Sequence, residues 1–138
     1  MIKAEIGRQL MLRLENQVGT LAQITSVCAS SGINLIAICA YAVEKSVAVM
    51  FVTEDNNEAK RLLSSHGFNV QEEEAILLSM DNKAGALQRV TDKLAESGID
   101  LVLVYGSVDK DSKSCRIIII AQNNLDAMAV IKTELERS

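Results

Sequence analysis

The chain has 138 residues with no proline and no tryptophan, 49% apolar and 3% aromatic, and a formal charge of −4. Proline-rich linkers are excluded, so few aromatic rings leave no stacking platform for single-stranded nucleic acid, and the acidic balance offers no footprint for nucleic acid or anionic membrane. Apolar content near half implies an aliphatic core, in a length that suits one average domain or two very small ones.

Ile2–Ile6 and Gln9–Leu14 are short and apolar-rich, and are expected as strands. A polar turn, Asn16–Gly19, precedes Leu21, Ile24 and Cys28, whose i, i+3, i+7 spacing predicts one apolar helical stripe. Thr20 and Gln23 suggest a capping box there, and Gly32 stands where a helix-ending left-handed glycine belongs. Strands are expected at Ile33–Val43 and Val47–Thr53, then a helix at Asn57–His66 with Leu62 and Leu63 inward, closed by Gly67. Phe68–Glu72 forms a fourth strand, and the order reads βαββαβ.

The order then repeats. Strand Ile76–Met80 leads to the turn Asn82–Gly85, a stripe of Leu87, Val90 and Leu94, and Gly98. Strands Ile99–Val108 and Cys115–Ala121 follow, then a helix over Asn124–Arg137 with Leu125, Met128 and Leu135 inward. Placing Asn16 on Asn82, an offset of 66 residues, aligns Leu14–Ala42 with Met80–Val108 at nine identical positions, including Gly19/Gly85, Thr25/Thr91, Gly32/Gly98 and Ile33/Ile99. The chain is two copies of one α+β unit, expected over 1–72 and 73–138. The second copy ends one strand short. Because Ile2–Ile6 aligns with Phe68–Glu72, it is expected to complete the second unit, so that edge strands are exchanged.

Catalytic constellations are absent. The single histidine, His66, sits at a helix end, where imidazole serves free carbonyls and the helix dipole. Ser30–Ser31 and Ser64–Ser65 lack a nucleophile elbow, and no phosphate loop, dinucleotide or metalloprotease motif occurs. Glu72–Glu74 reads as a solvated strand edge. Cys28, Cys39 and Cys115 are an odd, unpaired set on apolar faces, which reads as reduced core thiols. With one histidine no metal site is expected, and no cofactor. Met1–Gly7 has no signal-peptide core and Ile33–Val43 is too short to span a bilayer, so a cytoplasmic protein is expected.

The repeated turn differs from these. Asn16-Gln17-Val18-Gly19 and Asn82-Lys83-Ala84-Gly85 each join a strand to a helix N-terminus, whose unpaired N–H groups and positive dipole end suit a carboxylate. Eighteen residues beyond each Asn stands Asn34 or Asp100, able to accept from an ammonium. Asn and Gly are equally the ordinary residues of a turn, so spacing leaves both interpretations open.

At these residues the chain resembles the ACT domain family, whose pattern runs roughly N-x-P-G-x-L, a helix, then G-I-N-[IL]. Here it reads Asn16–Leu21 with Gly32–Leu35, and Asn82–Leu87 with Gly98–Leu101. The resemblance implies a pair of ferredoxin-like units, antiparallel sheets with helices on one face, and a regulatory, allosteric role without catalysis. It implies an amino-acid ligand at interfaces between units. One site would join Asn16, Gln17, Val18, Gly19 and Thr20 to Asp100; the other would join Asn82, Lys83, Ala84, Gly85 and Ala86 to Asn34. The partners implied are a second copy, as a homodimer, and a separate metabolic enzyme. Two departures stand out. Val18 and Ala84 replace the usual proline, which loosens the turns. Leu14 and Met80, two residues before each Asn, replace a commonly polar residue, which argues against serine and for an apolar ligand side chain. The alternatives are a ligand-free dimerisation and docking module and an acylphosphatase-type hydrolase. The latter needs an arginine-bearing phosphate loop, which Asn16–Gly19 lacks.

Overall fold

The computed structural model describes residues 1–136. It divides into two compact units, Arg8–Glu73, and Met1–Gly7 with Glu74–Ser138. Ile2–Ile6 and Gln9–Leu14 form one strand, β1 (Ile2–Glu15), whose first residues belong to one unit and whose remainder belongs to the other. Gly7 sits at the crossing because a Cβ there would lie 2.6 Å from Leu77 Cδ1.

In the unit Arg8–Glu73, β1 leads to α1 (Thr20–Ser30), β2 (Leu35–Val43), β3 (Ser46–Thr53), α2 (Asn56–Ser65) and the start of β4 (Gln71–Asp81). The strand order is β2-β3-β1-β4, with β1 and β2 antiparallel to β3. Leu10, Leu12, Ile24, Cys28, Val49, Phe51, Ala59 and Leu63 form its buried core. β3 is apolar without a break from Val47 to Val52, and it is buried on both faces from Ala48 to Thr53. β4 begins at Gln71 rather than Phe68, because the Phe68 N–H donates to Leu63 O at 3.0 Å and closes the end of α2 instead of entering a ladder.

In the other unit β4 leads to α3 (Ala86–Glu96), β5 (Leu101–Ser107), β6 (Ser114–Ala121) and α4 (Asn124–Val130), which continues through a π-helical turn, Ile131–Leu135. The order is β1-β4-β6-β5, with β6 antiparallel to β4 and β5. Ile2 and Ala4 are buried here, among Ile76, Leu78, Val90, Leu94, Ile119 and Ile131. Met1 O accepts from Asp81 N–H at 3.2 Å, and Glu136 accepts the Ala4 N–H at 2.6 Å.

Several expectations are corrected. Leu125 is 71% exposed, whereas Leu135 is buried with Ala127 and Ile131, and Met128 packs half-buried against them. The expected end of that helix at Arg137 lies outside the described residues. Leu21 and Leu87, first in each helical stripe, are also exposed, while Ile24, Cys28, Val90 and Leu94 are buried. Thr20 and Gln23 form no capping box. The cap position is Gly19, and the Thr20 hydroxyl donates back to Gln17 O at 3.1 Å. Glu72 is not simply solvated, since it lies 3.5 Å from Lys60 Nζ and 3.8 Å from Arg8 Nε.

One device escaped the sequence reading. Asn56 accepts from the Thr53 N–H at 2.9 Å and donates to Arg8 O at 2.8 Å. Asn124 does the same with the Ala121 N–H, at 2.8 Å, and Glu74 O, at 3.2 Å. Each asparagine thereby ties a helix start to two strands at once.

Candidate functional site

Each turn is set by a left-handed glycine. Gly19 has φ 92° and Gly85 has φ 88°, a region closed to most side chains, and nothing lies within 4 Å of where a Cβ would stand. The glycine is needed for its backbone, not for space. Both helices then begin without a side-chain cap and without an acidic residue in the first turn. A helix start of this kind leaves its first N–H groups without intrahelical partners, a favourable place for an anion.

The two asparagines differ in how far the fold already uses them. Asn82 Nδ2 donates to Asp109 O at 2.8 Å and to Ser112 O at 3.0 Å, so both its protons clamp the β5–β6 hairpin. Its Oδ1 can only accept, which suits an ammonium. Asn16 Nδ2 makes a single, 3.4 Å contact with Glu44 O. Gln17 donates to Glu15, and Val18 is fully exposed.

The surroundings differ as well. At the second turn, Asp81, Lys83, Ala84, Gly85, Ala86 and Arg89 line a cavity of about 270 Å³ together with Met1 and Ile2. Asp81 lies 2.6 Å from the terminal ammonium and 3.8 Å from Lys83 Nζ. The ammonium hydrogen bond, ahead of the Lys83 charge, holds its carboxyl below the usual range.

Asn34 and Asp100 stand elsewhere. Asn16 lies beside Lys45, at the Ser46 end of β3, whereas Asn34 lies beside Glu54, at the Thr53 end. Eight strand residues at 3.4 Å per step separate those ends by about 24 Å. Asn82 and Asp100 are divided in the same way by β6, with Asn82 beside Lys113 and Asp100 beside Gln122. Within one unit, no small ligand touches both members of a pair.

Other candidate groups are accounted for by the fold. His66 Nδ1 donates to Leu62 O at 2.9 Å, closing a helix end. Burial pushes the Cys28 thiol up, and burial followed by the Asp81 charge does so for Cys115, so neither is an activated thiolate. No helix among the described residues is long and apolar enough to cross a membrane.

Comparison with known proteins identifies the family and the fold. A family model described as an ACT domain pair matches residues 6–135. Protein BT0572 from Bacteroides thetaiotaomicron is 26% identical, with a TM-score of 0.85 over 94% of this chain and 88% of that one. The ligand-free regulatory subunit of aspartate kinase from Thermus thermophilus is 15% identical, with a TM-score of 0.68 over 96% and 97%. A structure of aspartokinase alpha and beta subunits is 17% identical, with a TM-score of 0.64 over 95% of each chain. The last two likenesses show the fold alone. No curated protein matches the sequence. With its two βαββαβ units and both turn motifs in register, the chain belongs to the ACT domain family, as a pair of regulatory ACT domains.

Proposed function

We propose that this protein is a non-catalytic regulatory protein that binds a free amino acid at its ACT units and modulates a separate metabolic enzyme as a homodimer. The observation that carries this reading is the second turn. An uncapped helix start, a left-handed glycine and the side chains of Lys83 and Arg89 surround one cavity of about 270 Å³. The ligand carboxylate takes the α3 N-terminus, and its ammonium takes Asn82 Oδ1. Because Asn16 and Asn34, or Asn82 and Asp100, stand at opposite ends of their own units, each ligand is closed over by a further ACT unit. One site then combines Asn16–Thr20 with Asp100, and the other combines Asn82–Ala86 with Asn34. Asp100 gives the first site the stronger hold on an ammonium. The aspartate kinase regulatory subunit among the similar structures supports an amino-acid biosynthetic kinase as the class of enzyme regulated.

A thermal-shift panel of the twenty amino acids tests this reading. A ligand at 100 times its Kd adds about 2.7 kcal/mol, several degrees for a chain of this size. Asn16→Ala and Asp100→Asn are expected to weaken the same site, and Asn34→Ala to weaken the other. If no amino acid shifts the melting point, the protein is a ligand-free docking module instead.

A further inference from the structure

The two turns of the repeat differ in charge at matched places. Gln17 and Gln23 of the first copy correspond to Lys83 and Arg89 of the second, while Glu15 corresponds to Asp81. The first copy thus sets two neutral amides beside one carboxylate, and the second sets two cations beside one. In the second copy all three residues line the cavity of about 270 Å³.

Arg89 reaches the cavity by its place in the helix. Its N–H donates to Gly85 O at 3.1 Å and closes the first turn of α3. Side chains of a helix lean toward its N-terminus, which carries the guanidinium back to the uncapped end. Lys83 lies in the turn itself, its side chain 71% exposed. The carboxylate of the wall, Asp81, is already engaged, 2.6 Å from the terminal ammonium and 3.8 Å from Lys83 Nζ. Met80, whose type favoured an apolar ligand side chain, is 1% exposed and packed in the core with Leu78 and Val90. It does not line the cavity, so the charge that a ligand side chain meets is set by Lys83 and Arg89. The volume falls just below the roughly 300–1,000 Å³ of pockets for drug-sized ligands, and suits a small metabolite.

We propose that the second-turn site selects an amino acid with an acidic side chain, whose carboxylate is held by Arg89 and Lys83, and that the first turn does not share this preference. The inference rests on the proposed function and names the class of ligand. With the α-carboxylate on the α3 N-terminus, a second carboxylate needs its own counter-charge, because covering it unpaired costs more than its contacts return. A guanidinium offers a charged, two-pronged match to a carboxylate, where Gln23 offers a neutral amide. Lys83 adds a point charge that salt screens, so Arg89 is the principal determinant.

Titration calorimetry of the full chain tests this with pairs alike in shape and different by one charge: L-glutamate against L-glutamine, and L-aspartate against L-asparagine. At least one acid is expected to bind about tenfold or more tighter than its amide, as one charge-assisted pair provides. Arg89→Gln, alone and with Lys83→Gln, gives the second turn the residues of the first and is expected to bring that ratio close to one. Arg89→Lys keeps the charge and loses the fork, and is expected to retain part of the preference. Circular dichroism melts check that the variants are folded. Acids bound no tighter than their amides, or a preference that survives the double substitution, overturn this inference and leave the amino-acid site in place. Succinate bound as tightly as either acid also overturns it, since a site for bare anions needs no amino acid. Binding of none of the twenty amino acids removes the site itself and this selectivity with it.

Discussion

Asn16 and Asn82 occupy the same place in the repeat, yet the fold spends them differently. Asn82 is the hairpin clamp, with donor distances of 2.8 and 3.0 Å, whereas Asn16 makes one long contact of 3.4 Å. At about 0.5–1.5 kcal/mol per bond, Asn82→Ala is expected to cost about 1–3 kcal/mol in a denaturant titration. Asn16→Ala, exposed and weakly held, is expected to cost less than about 0.5 kcal/mol. Equal losses for the two would show that their roles are the same after all. The identity of the two residues was plain from the alignment. Their inequality was not, because it depends on the hairpin each turn meets. The short Glu44–Ser46 connection presents one carbonyl to Asn16, whereas the longer loop after β5 folds Asp109 and Ser112 onto Asn82.

Among the elements, the C-terminal helix shows most clearly where periodicity reaches its limit. Leu125, Met128 and Leu135 suggested one face; Met128 and Leu135 do pack on the core, but the face centres on Ala127 and Ile131 and excludes Leu125, with a π-helical turn over Ile131–Leu135. Asn124 decides the phase: its side chain is anchored to Ala121 N–H and Glu74 O, which turns Leu125 outward. At the far end Glu136 accepts the Ala4 N–H and lies 3.0 Å from Lys132. The backbone bond first, and Lys132 after it, lower its pKa below the usual carboxylate value. A folded pKa below the unfolded one means that the stabilisation is complete above the ordinary glutamate range, near pH 4.3, and fades as the pH falls through the lowered value. Glu136→Gln is therefore expected to melt lower at pH 7, by the equivalent of about 1 kcal/mol. The gap to the parent should close as the pH falls below about 4. A gap that stays constant down to pH 2 would rule out the carboxylate as its source.

At the level of the chain, the first strand serves both units. Ile2 and Ala4 are buried with Ile76, Leu78 and Ile119, while Leu10 and Leu12 are buried with Val49 and Phe51. Removing Met1–Ile6 strips one core of Ile2 alone worth about 1.5–3 kcal/mol of burial, and uncovers an edge of β4. Hydrogen exchange should then accelerate in β4 and β6 with β3 still protected. Unchanged protection of β6 would sink the exchange of strands. Two halves that borrow strands fold as coupled bodies, so a truncation in one is expected to lower the cooperativity of the common transition.

The repeat, the βαββαβ order and the two glycine turns were legible in the sequence because each rests on short-range rules. Glycine alone tolerates φ near 90°, an apolar period of 3.6 makes a helix, and nine shared identities survive without any knowledge of contacts. The proline-free composition, at first only an argument against linkers, came down to Val18 and Ala84 in those turns. What folding in three dimensions added is long-range. It joined Ile2–Ile6 and Gln9–Leu14 into one strand, bonded the two equivalent asparagines unequally, and set a cavity beside one turn. It also joined α3 to the last helix through Lys93 and Glu134, where α1 carries no charge. Those outcomes depend on which segments distant in the chain meet, and neighbouring residues carry no record of that.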